Sequence, residues 1–135
     1  MTPQEYRVTF RKLIRDNMID VIQSDGFRAV IRILDAEEHR RELVRKLFEE
    51  IGEYLAAGTL EELADVYEVI RSLALLDSAY EDTLLATAAD KRRRRGSFIR
   101  GVFLEYILSD EHARHLEEIG EAPEGLCRPT LPREK

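Results

Sequence analysis

Apolar residues recur at helical spacing through most of the chain, and no proline interrupts residues 4–122. Leu13, Ile14, Met18, Val21 and Ile22 predict a first helix over about 10–23, closed by Ser24-Asp25-Gly26. Residues 27–34, Phe-Arg-Ala-Val-Ile-Arg-Ile-Leu, are rich in β-branched side chains with Arg28 and Arg32 on one face, which predicts a short strand. Asp35 with Glu38 three residues on marks a helix start. That helix runs to about Ala57 with Leu43, Val44, Leu47, Phe48, Ile51, Tyr54 and Leu55 as its buried stripe. Gly58 is a stop, and Thr59 with Glu62 is the capping box of a helix reaching about Leu76. A link this short predicts antiparallel neighbours. Ser78 with Glu81 opens a further helix through Leu84, Leu85 and Ala88 into Lys91-Arg92-Arg93-Arg94-Arg95-Gly96. Residues 98–108 are apolar and suit strand, helix or each in turn; 111–119 suit a helix, and the glycines and prolines from 120 onward suit an irregular tail.

The expected fold is therefore mainly α: an antiparallel helical bundle built on a tight αα-hairpin, with a short β-strand pair as an option. A hairpin and one more helix cannot cover every apolar face in this chain, so a homodimer or higher homo-oligomer is expected. One domain is expected over 1–119, followed by a tail over 120–135.

Composition narrows the function. The 135 residues carry 21 Lys+Arg against 27 Asp+Glu, a net charge of −6, which disfavours a nucleic-acid coat because that needs a basic face. The single cysteine, Cys127, allows no internal disulfide or cysteine-based zinc cluster and suits a reducing cytosol. The first residues lack the basic-then-apolar layout of a signal peptide, and no apolar run approaches the ~20 residues that span a bilayer. A cytoplasmic protein with no membrane and no nucleic-acid partner is expected, with an unusual supply of carboxylates.

Those carboxylates are ordered. Glu50 and Glu53 stand three apart on one helix, and Glu62 and Asp65 repeat the spacing on the next. Glu50 lies at the edge of its apolar stripe and Glu53 just beyond it. Glu62 falls in line with Val66, Val69 and Leu73, on the side that should be buried, with Asp65 at the margin. Counted outward from the Gly58-Thr59 turn, Glu53 is level with Glu62 and Glu50 with Asp65, at ~1.5 Å rise per residue. Axes ~8–10 Å apart would bring the four acids together. Bare, they would repel and take up protons; a hard divalent cation that prefers oxygen ligands, Mg2+ or Mn2+, removes the conflict. Against this stand two simpler uses: solvated acidic faces, and a Glu62 that only completes the Thr59 cap.

Glu49-Glu50-Ile51-Gly52-Glu53 and Glu62-Leu63-Ala64-Asp65 resemble the E-E-x-x-E and E-x-x-D motifs of the MazG-like all-α nucleoside triphosphate pyrophosphohydrolases, which include phosphoribosyl-ATP pyrophosphohydrolase. Leu13-Ile14-Arg15-Asp16 is similar to the L-[VI]-R-D of one branch. The run Glu61 to Ile70 is similar to its E-E-L-A-D-V-x-E-V-I, and Lys91 with Arg95-Gly96-Ser97-Phe98 to its K-x-x-x-R-G-G-F. The likeness spans about 12–104 in order. It departs at Asn17, Met18 and Ser97, in a short interval between Glu53 and Glu62, and at Gly52, which costs a helix ~1 kcal/mol against Ala.

The resemblance implies Mg2+-dependent hydrolysis between the α- and β-phosphates to a nucleoside monophosphate and pyrophosphate, with active sites shared between subunits. Glu50, Glu53, Glu62 and Asp65 would be metal ligands, and Glu49, about 100° around from Glu50, a second-metal ligand or the catalytic water-activating base. Lys91 and Arg95, with Lys46, Arg94 and Arg15, would bind substrate; the same cations also suit a helix C-terminus or a solvated surface, and Arg15 could equally pair with Asp16. Tyr54, Tyr67, Phe98 and Phe103 suit either base stacking or a core. His39, His112 and His115 show no metal-like pairing with the acids. A house-cleaning enzyme for canonical or damaged nucleotides leads. The alternatives are phosphoribosyl-ATP hydrolysis and a non-catalytic helical module that oligomerises or senses nucleotides.

Overall fold

The computed structural model describes residues 4–108. The chain divides into two compact units, Met1–Gly96 and Ser97–Lys135. The first is helical: α1 (Met18–Ser24), α2 (Ala36–Ala57), α3 (Leu60–Leu76) and α4 (Glu81–Arg95), with no strand among the described residues. The expected helix over 111–119 and the tail over 120–135 lie outside the described residues. No described helix is long and apolar enough to cross a membrane.

The boundaries of α2 and α3 follow local chemistry. Asp35, in extended backbone, accepts a hydrogen bond from the Glu38 N–H at 2.8 Å and opens α2. Gly58, at φ 68°, ends it by donating to the Tyr54 carbonyl at 2.8 Å. Thr59 then caps α3, accepting from the Glu62 N–H at 3.3 Å. With only Gly58 and Thr59 between them, α2 and α3 pack on each other, and α4 packs on α3. Leu43 of α2 and Val69 of α3 are the buried apolar residues of the first unit.

Four expectations are corrected. The first helix does not begin near residue 10 but at Met18: Arg11 sits at φ 48°, and a turn from the Arg15 carbonyl to the Met18 N–H at 3.0 Å comes between. Lys12 and Arg15 instead reach acids on α2 and α3, so tertiary ion pairs override a weak local preference. Residues 27–34 form no strand. Arg28 pairs with Glu5 at 2.8 Å, but no backbone hydrogen bond joins these segments, and a strand without a partner leaves its N–H and C=O groups unpaired. Ser78 is not the cap of α4, which starts at Glu81 after Tyr80 with no side-chain cap. Ser78 lies at φ 60° and closes α3: its N–H donates to the Leu75 carbonyl and that of Ala79 to the Ala74 carbonyl, a Schellman pattern that normally takes glycine. Residues 98–108 are neither strand nor helix. A turn from Phe98 to Gly101, with Gly101 at φ 65°, breaks the run.

The apolar stripe of α2 also splits. Leu43, Leu47 and Tyr54 turn towards α3, whereas Val44, Phe48, Ile51 and Leu55 are exposed. One row is covered, and the other is left largely open.

Candidate metal centre

The packing of α2 on α3 brings carboxylate oxygens of Glu50, Glu62 and Asp65 within 4.8 Å of one another. Glu50 is 7% exposed, a depth that ionisable side chains seldom reach without a partner. Its Oε1 has one, the Lys46 ammonium one turn back at 3.1 Å. Its Oε2 has none, and neither does the buried Oε2 of Glu62. The Glu62 backbone is spent on the Thr59 cap, but its carboxylate is not. Two buried carboxylate oxygens without donors beside a third acid carry a desolvation cost that the protein itself leaves unanswered.

Glu53 stands apart. Three residues turn a helix by about 300°, which swings Glu53 some 60° away from Glu50 towards solvent, and it is exposed. It still acts on the group through its charge. Glu62 has its pKa raised above the ordinary 4.5, first by desolvation and then by the charges of Glu53, Asp65 and Glu50.

Cations border the acids without filling the gap between them. Burial works against the charge on Lys46, but hydrogen bonds to Glu50 and, at 3.2 Å, to Glu49 outweigh it and raise its pKa above 10.5. Glu49 is also partly desolvated, yet Lys46 and Lys12, the latter at 3.5 Å, hold its pKa below 4.5. Arg15 does not turn to Asp16; its guanidinium donates to Asp65 Oδ1 at 2.6 Å. Lys12 is the site neighbour that motif reading passes over, although its place three residues before Arg15 is a signal. Five acids (Glu49, Glu50, Glu53, Glu62, Asp65) against Lys12, Arg15 and Lys46 leave an excess of two negative charges.

No protein-family model, curated protein or solved structure matches this chain. Chemistry alone must therefore say what the group suits. An all-oxygen donor set with two orphan oxygens and a double negative excess suits a hard divalent cation better than a soft thiophilic metal.

The remaining candidates lie elsewhere. Arg94 pairs with Asp90 of its own helix at 3.0 Å, and Arg93 pairs with the same carboxylate. Lys91 and Arg95 are exposed on the last turns of α4, a helix that contacts α3 and not α2. Tyr67 is engaged as a donor to Glu81 at 2.9 Å, and Phe98 and Phe103 are exposed in the second unit.

Proposed function

We propose that this protein is a Mg2+-dependent nucleoside triphosphate pyrophosphohydrolase that cleaves between the α- and β-phosphates to give a nucleoside monophosphate and pyrophosphate. The observation that carries the reading is the convergence of Glu50, Glu62 and Asp65 with two buried, donorless oxygens. It stands where the MazG-like resemblance expects a metal site. Glu50, Glu62 and Asp65 would hold Mg2+ (or Mn2+), with Glu53 adding charge from the rim. Such an ion, when bound, polarises phosphoryl oxygens and neutralises charge on the polyphosphate.

The chain's own residues have distinct tasks. Lys46 orients Glu49 and Glu50 and helps hold Glu49 ionised. Arg15 fixes one oxygen of Asp65 and leaves the other for binding. A carboxyl held below 4.5 accepts protons poorly at neutral pH, so Glu49 serves better by accepting a hydrogen bond that aims the attacking water than by removing its proton. The resemblance assigns Lys91 and Arg95, on the last turns of α4, to the substrate's triphosphate. Any turnover of canonical or damaged nucleotides fits a house-cleaning role.

The test is a panel of nucleoside triphosphates with Mg2+, scored for products. Monophosphate and pyrophosphate in equal amounts are expected. Glu62→Gln and Asp65→Asn are expected to lower release at least ~100-fold while circular dichroism holds. Undiminished release in both variants, or orthophosphate with a nucleoside diphosphate, overturns the assignment. Mg2+ uptake without turnover of any nucleotide replaces it with a sensing module.

A further inference from the structure

Glu49 and Asp65 lie on the same side of the hairpin, and the chain before α1 crosses that side. Each precedes an inward residue, Glu50 of α2 or Val66 of α3, by one position, a step of about 100°. Antiparallel helices turn in opposite senses when viewed from one end, so equal steps from their facing rows lead to one side. Lys12 reaches Glu49 Oε1 at 3.5 Å and Arg15 reaches Asp65 Oδ1 at 2.6 Å, so residues 12–15 span from α2 to α3. Leu13 and Ile14 between them are half-buried, and among the described residues no backbone hydrogen bond engages 4–14. This strap is held by its side chains. Arg11 takes a left-handed φ of 48° immediately before it, a conformation that residues other than glycine keep only where their surroundings require it.

The three cations of the site are not equally committed. Lys46 is shared between Glu49 at 3.2 Å and Glu50 at 3.1 Å, and Arg15 is the cation on Asp65. Lys12 is 47% exposed and meets an oxygen that Lys46 already serves. A half-exposed pair of this kind adds little to stability, and the flexible lysine stem can carry its three donors elsewhere. Charge gives that freedom a use. One divalent ion would cancel the excess of two negative charges and leave nothing positive over for an anionic substrate, in a chain of net charge −6. Lys91 and Arg95 belong to α4, which contacts α3 and not α2, so the α2 side of the site is left to Lys12.

We propose that Lys12 is a substrate-binding residue of this site: it leaves Glu49, which keeps Lys46, and donates to a phosphate oxygen of the substrate's polyphosphate. The assignment rests on the reading of the site as a pyrophosphohydrolase. An ammonium serves a phosphate as a point charge and needs no fixed orientation, which suits a residue carried on a strap. Arg15 stays on Asp65 and anchors the strap while Lys12 changes partner. Glu49 is then the resting place of Lys12, and its carboxylate competes with the phosphate for the same ammonium.

Imidodiphosphate, a base-free and non-hydrolysable pyrophosphate analogue, tests this by calorimetry at saturating Mg2+. Wild type is expected to bind it, Lys12→Met about 10-fold more weakly, and Lys12→Arg close to wild type. The same loss is expected in KM for a nucleoside triphosphate that is turned over, with kcat little changed. Mg2+ uptake without the analogue is expected to be kept or tightened in Lys12→Met, because a neighbouring positive charge opposes a cation. Glu49→Gln separates a direct contact from a role through Glu49. It frees Lys12 and is expected to bind the analogue at least as tightly as wild type, whereas a Lys12 that only orients Glu49 makes both variants lose binding together. Unchanged affinity and KM in Lys12→Met, or joint loss in Lys12→Met and Glu49→Gln, overturns the assignment; release of monophosphate and pyrophosphate by wild type then leaves the pyrophosphohydrolase reading standing. A wild type that binds no analogue and turns over no nucleotide overturns both.

Discussion

The two places where α3 meets other elements use the same residue types to opposite effect. Where α3 begins, Glu62 and Asp65 come against Glu50 of α2, and two of the oxygens find no donor. Farther along the helix, Glu81 at the start of α4 accepts from Arg71 at 2.9 Å and from the Tyr67 hydroxyl at 2.9 Å, while Arg71 also reaches Glu68 at 3.2 Å. The second arrangement is complete in itself: the hydrogen bonds from Arg71 and then Tyr67 hold the Glu81 pKa below 4.5. In the first, desolvation and neighbouring acids raise that of Glu62. A carboxylate that joins helices is given its donors by the protein. One that is denied them on a packed helix face leaves carboxylate oxygens that could hold a metal ion.

The comparison is broken most strongly at Lys46, the cation that makes the acid group tolerable. Its side chain is 17% exposed, and removal leaves Glu50 without a cation and Glu49 with Lys12 alone. Lys46→Met is expected to cost roughly 3 kcal/mol in chelator, read by urea unfolding, with part of the loss restored by Mg2+. No restoration would mean that the acids do not share a cation.

A pH series separates the two regions by sign. Glu62 binds its proton more readily folded than unfolded, so in chelator its contribution is whole below about 4.5 and is lost as pH rises through its raised value. Glu81 contributes above about 4.5 and loses that contribution as pH falls through its lowered value. Glu62→Gln should therefore gain on wild type as pH rises from 4 to 7, and Glu81→Gln should lose. Thermal melts that run parallel to wild type for both variants would remove the distinction. The smallest effect is expected at Ser78, whose left-handed backbone burdens the link between α3 and α4. Ser78→Gly is expected to gain a few tenths to about 1 kcal/mol, and the sign of the shift in unfolding midpoint checks it.

Much of the candidate site was legible because its information is local. Spacings of three place Glu50 beside Glu53 and Glu62 beside Asp65 on any helix, and Asp35, Gly58 and Thr59 mark helix ends through hydrogen bonds a few residues long. Rotation about α2 then separated what linear spacing had grouped, leaving Glu53 at the rim. The turn residue Ser78 misled because the same side chain that caps a helix start can stand in the left-handed position after a helix end.

What the chain determined by itself, then, is the helical hairpin and the residues that crowd it, since 3.6-residue periodicity and capping act within a few turns. Tertiary structure alone decided which oxygens are left without donors, that Arg15 and Lys12 leave a helical pattern to reach Asp65 and Glu49, and that 27–34 stays without a ladder. Each of these depends on a partner distant in sequence, and neither periodicity nor composition encodes which distant group will be near.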